Sequence, residues 1–507
     1  MEHHREAWSA RTVFILAAIG SAVGVGNIWR FPYVAYENGG GAFIIPYLVA
    51  LLTAGIPFLF LDYALGHKFR GSPPLAFRRL HKRAESIGWW QVGICFVIST
   101  YYAVIVAWAI RYFFFSFYET WGDNPANFFS NDFLHQSSEA NVAFDFVPGV
   151  VLPLLVVWVL TLAVLIFGVQ SGIGSLARLF VPLLIAMFAI LVVRALFLQG
   201  AGTGLDAFFR PNWSALSHPT VWIAAYAQIF FSLSVAFGIM LTYSSYLGRK
   251  TDLTHSGLVV AFSNSSFEIL AGIGVFATLG YMANISGVAV NEVVSDGIGL
   301  AFIAFPAIVS SMPGGPLFGI LFFGALVLAG FTSMVSVVQV VVAAVEDKFD
   351  IGRVPAVLGV GGASAAISLL FLPTTTGLNI LDVLDNFASN IGIVGVALVA
   401  IVVIAWVLRR LTNLEDHLNS LSSLKLGFAW RLFLGVITPA VLAYMLIDET
   451  IDRIQNGYDG VPSVIVNTFG WGAQILVIVA AVLLSLTPWR RTHKLEHFER
   501  ARDGTKV

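Results

Sequence analysis

Gly20-Ser21-Ala22-Val23-Gly24-Val25-Gly26-Asn27 lies in the middle of an apolar stretch, 11–37, long enough to cross a bilayer as one helix. The octet argues against a continuous helix. Gly24 and Gly26, followed by a polar Asn, weaken it at mid-membrane, since each Gly costs about 1 kcal/mol against Ala in a helix interior. A second apolar stretch, 219–248, carries Phe230-Phe231-Ser232-Leu233-Ser234-Val235-Ala236-Phe237-Gly238, again polar near its middle. Small residues also gather where membrane helices pack closely, so either motif alone fits close packing. Unpaired backbone inside a bilayer has to line a cavity or be buried in protein. The two stretches are the first and sixth apolar spans, corresponding positions in two five-span halves. Matched interruptions of this kind point to a ligand site at the midplane.

Outward from these stretches the whole chain reads as membrane protein. Its 507 residues are 58% hydrophobic and 11% charged, less than half the roughly 25% charge of a soluble domain. Mean hydropathy is +0.83. Apolar blocks predict twelve spans, near 11–37, 41–69, 87–120, 149–167, 174–198, 219–248, 254–283, 315–347, 353–372, 378–409, 427–451 and 465–488. Arg5 and Arg11 precede the first. Lys68, Arg70, Arg78, Arg79, Lys82, Arg83, Arg249, Lys250, Lys348, Arg353, Arg409, Arg410, Arg490, Arg491 and Lys494 follow even-numbered spans. The loop with Glu119, Asp123, Asp132, Glu139 and Asp145 has no Lys or Arg, and neither does the loop around Glu292 and Asp296. By the positive-inside rule both termini are expected in the cytoplasm. The polar start, 1–11, predicts no cleavable signal peptide. Cys95 is the single cysteine, so an intrachain disulfide and a thiolate metal cluster are excluded. The net charge of −1 points to no partner. The lipid bilayer is expected as one, nucleic acid is not, and no nucleotide-binding or hydrolytic motif appears.

The sequence resembles the neurotransmitter:sodium symporter family, and in particular its prokaryotic, amino-acid-carrying branch. The residues that carry the resemblance are Arg5, Trp8, Arg11, Gly24-Val-Gly-Asn-Ile-Trp-Arg-Phe-Pro-Tyr33, Glu37-Asn-Gly-Gly-Gly-Ala-Phe43, Gln228-Ile-Phe-Phe-Ser-Leu-Ser234, Asn264 and Ala329-Gly-Phe-Thr-Ser333. It covers roughly residues 5–410. It implies an all-α polytopic membrane protein, a single transporter domain over 1–507. Two inverted five-helix repeats, 11–198 and 219–409, would have broken helices one and six, and two peripheral helices would occupy 427–488. The implied activity is sodium-coupled import of a small neutral amino acid by alternating access at the plasma membrane, and no enzyme activity is expected. The oligomeric state is left open.

The resemblance also implies a site, residue by residue. One sodium would bind Ala22, Asn27, Ser232 and Asn264, with Ser232 where prokaryotic members usually have Thr. A second would bind Gly20, Val23, Ala329, Thr332 and Ser333. Hard cations of this kind take oxygen ligands. Thr332 and Ser333 could equally bond back to their own helix. The substrate would meet the N–H groups of Val25 and Gly26 at a half-helix N-terminus, which suits a carboxylate. Its other contacts would be Ala22, Ile98, Tyr102, Phe231, Ser232, Ser234, Phe237, Ser333 and Val337, with Ser336 nearby. Tyr102 adjoins Tyr101, and either fits a packing role. Monoamine-carrying relatives have Asp at the Gly24 position, so this substrate should bring its own carboxylate. Glu268, one turn after Asn264, would stand where chloride binds in chloride-dependent relatives, near Tyr47, Gln228, Ser232 and Asn264. No chloride is then expected, and Glu268 would carry a proton outward. A structural Glu between helices is the other reading, although an ionisable residue in a span is functional by default. Arg30 and Asp385 match an outer gate. Arg5 and Asp347 match an inner one, with Trp8, Ser245 and Tyr246 around it. Arg5 also fits a plain topology charge, and Asp347 a helix-end charge beside Glu346.

Other readings stay open at this level. The substrate could be a GABA-, taurine- or creatine-like amino acid, or the scaffold could serve a substrate-gated channel or receptor. A proton-coupled carrier with two six-span halves would need a long basic loop between spans six and seven, and here that loop is short, 248–253.

Overall fold

The computed structural model describes residues 6–137, 141–294, 297–458 and 460–490. Among them the regular structure is helical, apart from two isolated bridges, Gly40 with Pro211 and Phe146 with Thr374. Ten unbroken helices are long and apolar enough to cross a membrane. They are span two (Gly41–Phe69), three (Lys82–Phe115), four (Pro148–Ile166), five (Val169–Leu196), seven (Leu253–Ser286), eight (Gly315–Phe349), nine (Arg353–Phe371), ten (Gly377–Val407), eleven (Phe428–Gln455) and twelve (Ser463–Leu486). The first span is two helices, Arg11–Ala22 and Val25–Glu37, bent by 55° at the break. The sixth is also two, Pro219–Ser232 and Ile239–Ser244, joined by an unwound segment, 233–238. With the bent first span the described residues hold up to eleven candidate crossings, and the broken sixth stretch stands where the apolar blocks predict a twelfth.

Local chemistry accounts for the ends. Pro148 and Pro219 stand at helix starts, where their missing N–H costs nothing. Asp252 caps span seven by accepting from the His255 N–H at 3.1 Å. Span three differs from expectation at its far end. The helix stops at Phe115 and not near 120, and the chain then turns through Glu119 and Gly122, both with positive φ. Phe117, Tyr118 and Trp121 continue the apolar signal past the point where the helix ends, so hydropathy overruns it. No span is predicted between 409 and 427, yet Leu411–Leu421 forms a helix. Leu411, Leu414 and Leu418 lie buried on one face, and Thr412, Asn413 and Asp416 are exposed.

Spans three and eight form the centre, each 72% buried in its apolar core, whereas span twelve is 22% buried and span nine 28%, which puts both at the rim. Close backbone approach locks the broken spans into this frame. A Cβ on Gly66 of span two would sit 2.0 Å from the Leu241 carbonyl oxygen, so only glycine lets span two reach the second half of span six.

Candidate functional site

In span one, Ala22 is the last helical residue, and Gly24 is extended at φ −111°, ψ −172° before the second helix begins. Asn27 caps that helix: its Oδ1 accepts from the Gly24 N–H at 2.9 Å. Two glycines here serve proximity as much as bending. A Cβ on Gly26 would lie 2.6 Å from Phe231 Cε1, and one on Gly24 would lie 3.0 Å from the Tyr102 hydroxyl and 3.1 Å from Ser333 Oγ. The Val25 N–H points to the Tyr102 hydroxyl at 3.4 Å.

In span six the unwound segment adopts left-handed backbone at Ser234, Ala236 and Gly238, with φ of +52°, +74° and +91°. Its freed backbone groups find side chains on neighbouring spans. Asp62 Oδ2 accepts from the Ala236 N–H at 3.0 Å, Gln91 Nε2 donates to the Ala236 carbonyl at 2.6 Å, and Cys95 Sγ donates to the Phe237 carbonyl at 3.0 Å. This satisfies the requirement that irregular backbone at membrane depth be paired within the protein. None of the three is marked by the sequence as part of the site. Asp62 carries a usable signal, being an ionisable residue inside a span. Gln91 and Cys95 carry none.

The two breaks face each other across a small cavity of about 50 Å³. Nine of the eleven residues expected to meet a substrate line it: Ala22, Gly26, Ile98, Tyr102, Phe231, Ser234, Phe237, Ser333 and Val337. Val25 and Ser232 do not line it. Ser21, Gly24, Asn27, Tyr101, Ile239, Ile393 and Asp385 complete the wall. The Ser21 carbonyl accepts from Ser333 Oγ at 2.7 Å and from Ser234 Oγ at 3.3 Å, which ties spans one, six and eight at one oxygen.

Beside the cavity, Asn27, Ser232 and Asn264 form one buried cluster. Asn27 Nδ2 donates to Asn264 Oδ1 at 2.9 Å and to Ser232 Oγ at 3.4 Å, and Asn264 Nδ2 donates to Ser232 Oγ. Of the second expected ion set, Gly20 and Thr332 lie close together. A Cβ on Gly20 would come within 3.7 Å of Thr332 Oγ1, and Thr332 and Ser333 share the face of span eight turned to the break. Thr332 Oγ1 bonds back to the Leu328 and Ala329 carbonyls at 2.9 and 3.0 Å, the alternative that its residue type allows. Val23 donates its N–H to the Ile19 carbonyl at 2.7 Å.

Glu268 is fully buried. One carboxylate oxygen accepts from Gln228 Nε2 at 2.6 Å and the other from the Tyr47 hydroxyl, two of the four neighbours expected for it, with Ser232 and Asn264 the others.

The two residues of the expected outer gate contact other groups in this structure. No ion pair joins Arg30 to Asp385. The Arg30 guanidinium lies over the Phe231 ring, 4.9 Å from its centroid, and Asp385 accepts from the Tyr101 hydroxyl at 2.8 Å. An aromatic face and a phenol take the contacts of the two charges. On the opposite side Trp8 plugs the bundle. Its indole N–H donates to the Tyr243 carbonyl at 2.9 Å and its backbone N–H to the Tyr246 carbonyl at 3.1 Å, with its ring edge-on to both tyrosines. Ser245 Oγ donates to the Thr242 carbonyl, Gln339 Nε2 to the Tyr246 hydroxyl, and the Ser72 N–H to Asp347 Oδ2. Arg5 lies outside the described residues, as do Glu139, Asp296, Arg491 and Lys494.

Comparison with known proteins places this geometry. The model of the sodium:neurotransmitter symporter family matches residues 5–125 and 121–492. An uncharacterized sodium-dependent transporter of Methanocaldococcus jannaschii is 41% identical over 481 residues, 95% of this chain and 97% of the relative. Mouse sodium- and chloride-dependent GABA transporter 2 is 34% identical over 376 residues, 68% of this chain and 62% of the relative. The human sodium- and chloride-dependent neutral and basic amino acid transporter B(0+) is 32% identical over 406 residues, 68% of this chain and 63% of the relative. The chain thus spans just over three fifths of the length of these two mammalian relatives. Its apolar helices, its two breaks and these matches agree: the chain belongs to the sodium:neurotransmitter symporter family, multi-pass membrane proteins that act as sodium-dependent symporters.

Proposed function

We propose that this chain imports a small neutral amino acid together with two sodium ions by alternating access. The observation that carries the reading is the meeting of two unwound segments at a cavity that the Asn27–Ser232–Asn264 cluster adjoins. One sodium takes oxygens of Ala22, Asn27, Ser232 and Asn264 and the carboxylate of the substrate. The other takes Gly20, Val23, Ala329, Thr332 and Ser333. A sodium completed only by the substrate makes each ligand raise the affinity of the other. Gly26 and Val25 offer N–H groups to the carboxylate, and Ile98, Phe237 and Val337 supply an apolar wall. The cavity of about 50 Å³ has room for roughly three to five water-sized groups. That favours the smallest amino acids, glycine and alanine, over a GABA-like chain, although a relative is named for GABA.

Glu268 supplies the fixed negative charge, so transport needs no chloride, and a proton leaves on Glu268 during the return step. Residues 11–198 and 219–409 are the two inverted repeats that rock against each other. Both termini are cytoplasmic, in the plasma membrane. Trp8, Ser245, Tyr246, Asp347 and Arg5 close the inner side, and Arg30, Asp385 and Phe231 the outer. The plugged Trp8 side also speaks against a continuous channel. Two sodium ions with a zwitterion move two charges, about 4–5 kcal/mol at 100 mV, or roughly a thousandfold accumulation. An exported proton halves the voltage contribution.

Thermal unfolding of the purified protein with each amino acid, in sodium and in potassium, tests the reading. Glycine or alanine should raise Tm only in sodium, because a ligand binding the folded state alone stabilises by mass action. If no amino acid stabilises the protein in sodium, the reading fails.

A further inference from the structure

Residues 6–9, ahead of span one, are held from two sides. Toward span six the hold is Trp8, whose indole and backbone N–H groups donate to the Tyr243 and Tyr246 carbonyls. Toward span five it comes from residues that no motif marks. Glu6 Oε2 accepts from the Val169 N–H at 2.5 Å, and Gln170 Oε1 accepts from the Ser9 N–H at 2.8 Å. Val169 and Gln170 open span five. This short segment thus bridges the inner ends of two spans.

Chemistry accounts for the Glu6 contact. The first N–H groups of a helix have no partner within it, and that end carries a partial positive charge. A carboxylate brought there answers both needs. The backbone is shaped to receive it. Gly168, just ahead of the helix, has φ +88° and ψ −176°, a conformation that glycine alone adopts readily. A Cβ there would lie 2.7 Å from Glu6 Oε1 and 3.1 Å from Oε2. Gly168 therefore serves both the turn into span five and the approach of the carboxylate.

The seam continues inward. A Cβ on Gly174, further along span five, would lie 2.8 Å from Val13 Cγ1 and 3.5 Å from Trp8 Cζ3. Trp8 and Val13 are buried, whereas Glu6, Ala7 and Ser9 are exposed. A buried plug is thus tied down by polar contacts at its rim. Both N–H groups of Trp8 are used by span six, so the segment's ties to span five come from Glu6 and Ser9. The Glu6 tie is the charge-assisted one, and such bonds are roughly twice as strong as neutral ones. We propose that Glu6 is a positioning residue of the inner gate: its carboxylate, seated on the N-terminus of span five, keeps Trp8 in the closed plug. This rests on the reading of Trp8 as part of a gate in an alternating-access carrier. Opening the inner side then requires the carboxylate to leave Val169, and weakening that contact shifts the resting protein toward an open inner side.

A cysteine under the plug reports its position. The chain's own Cys95 is buried, so Val13→Cys is read against a quiet background. The measurement is the rate at which a water-soluble maleimide labels the purified full chain at fixed pH with no amino acid present. Glu6→Ala should raise the Val13→Cys rate about fivefold, the size of one carboxylate at an exposed helix N-terminus. Labelling of Cys95, which loosening of the whole fold would raise, should stay unchanged. Val169→Pro deletes the N–H at a helix start, where proline is tolerated, and should raise the rate as much as Glu6→Ala does. The two together should add nothing further, since both remove one contact. Glu6→Lys puts a cation at the positive helix end, should exceed Glu6→Ala, and serves if Val169→Pro fails to fold. The proposal is overturned by a Glu6→Ala rate equal to that of the parent, by a Glu6→Ala effect that persists in full beside Val169→Pro, or by a Glu6→Lys rate no higher than that of Glu6→Ala. No amino acid enters this measurement, so its failure is distinct from failure of the thermal screen for a substrate.

Discussion

Replacing Glu268 by Ser asks whether the buried carboxylate stands in for an anion. Glu268 has no exposed surface and accepts from Gln228 at 2.6 Å and from Tyr47. Serine is too short to reach both donors and carries no charge. Two buried donors then lose their acceptor, at about 1–3 kcal/mol each. The combined penalty of about 2–6 kcal/mol corresponds to a loss of at least roughly 30-fold. Chloride can accept from both donors and restores the missing charge beside Asn264. Sodium-driven uptake of the stabilising amino acid into proteoliposomes, in chloride or in gluconate, is the assay. The unaltered protein should be indifferent to the anion, and Glu268→Ser should be at least about 30-fold slower in gluconate than in chloride. Glu268→Gln keeps the shape without the charge and should gain little from chloride. A Glu268→Ser protein equally active in both anions would refute the reasoning, and so would an unaltered protein that requires chloride.

Asp62→Ala removes the acceptor for the Ala236 N–H and should cost about 1–3 kcal/mol of stability and most uptake, whereas Asp62→Asn keeps a carbonyl there and should retain both in part; thermal unfolding and uptake separate them. Lys348 donates to Glu85 at 2.6 Å, and the same carboxylate accepts from Trp89 and Trp489. Lys348→Met leaves that buried charge with Arg78 alone, at 3.8 Å, and should cost up to about 3–5 kcal/mol, much of it recovered in Lys348→Met/Glu85→Gln by thermal unfolding. His417, on the Leu411–Leu421 helix, has its pKa lowered from 6.5 to about 3 by burial and by His67, Lys68 and Arg70. The unfolded chain therefore binds the extra proton more readily, so this contribution is complete above pH 6.5 and is lost as pH falls toward 3. His417→Gln should show a smaller drop in Tm than the unaltered protein on going from about pH 7.5 to 5.

The two breaks are not equally legible in the sequence, and the difference is physical. Span one breaks at residues whose own chemistry weakens a helix, and Gly24, Gly26 and Asn27 stand side by side. Span six turns left-handed at Ser234 and Ala236, which no local rule would select, since side chains disfavour that region. That conformation is held by Asp62, Gln91 and Cys95, more than a hundred residues earlier in the chain. A window read along the sequence sees the polar centre of span six and cannot see its braces. The contacts of the outer pair are equally invisible along the chain. Residue type matches Arg30 to Asp385, but Phe231 and Tyr101 compete for the same two charges, and only packing decides that. The Leu411–Leu421 helix is legible in principle from its leucine spacing and is obscured by shortness and polarity.

Asn27 shows why a residue type can be right while its role is incomplete. Sequence marks it as an oxygen ligand for sodium. In the structure its oxygen caps the second helix of span one through Gly24, while its nitrogen holds Asn264 and Ser232. One side chain therefore joins the break in span one, the end of the first helix of span six and span seven. On the proposed reading, a sodium bound here competes for oxygens of Asn27, Asn264 and Ser232 that these hydrogen bonds already use. Binding the ion then rearranges the junction between the two unwound segments and the cavity wall at Ala22. Such a shared set of oxygens is a physical route by which ion and substrate affinities become linked. It requires no path longer than one asparagine.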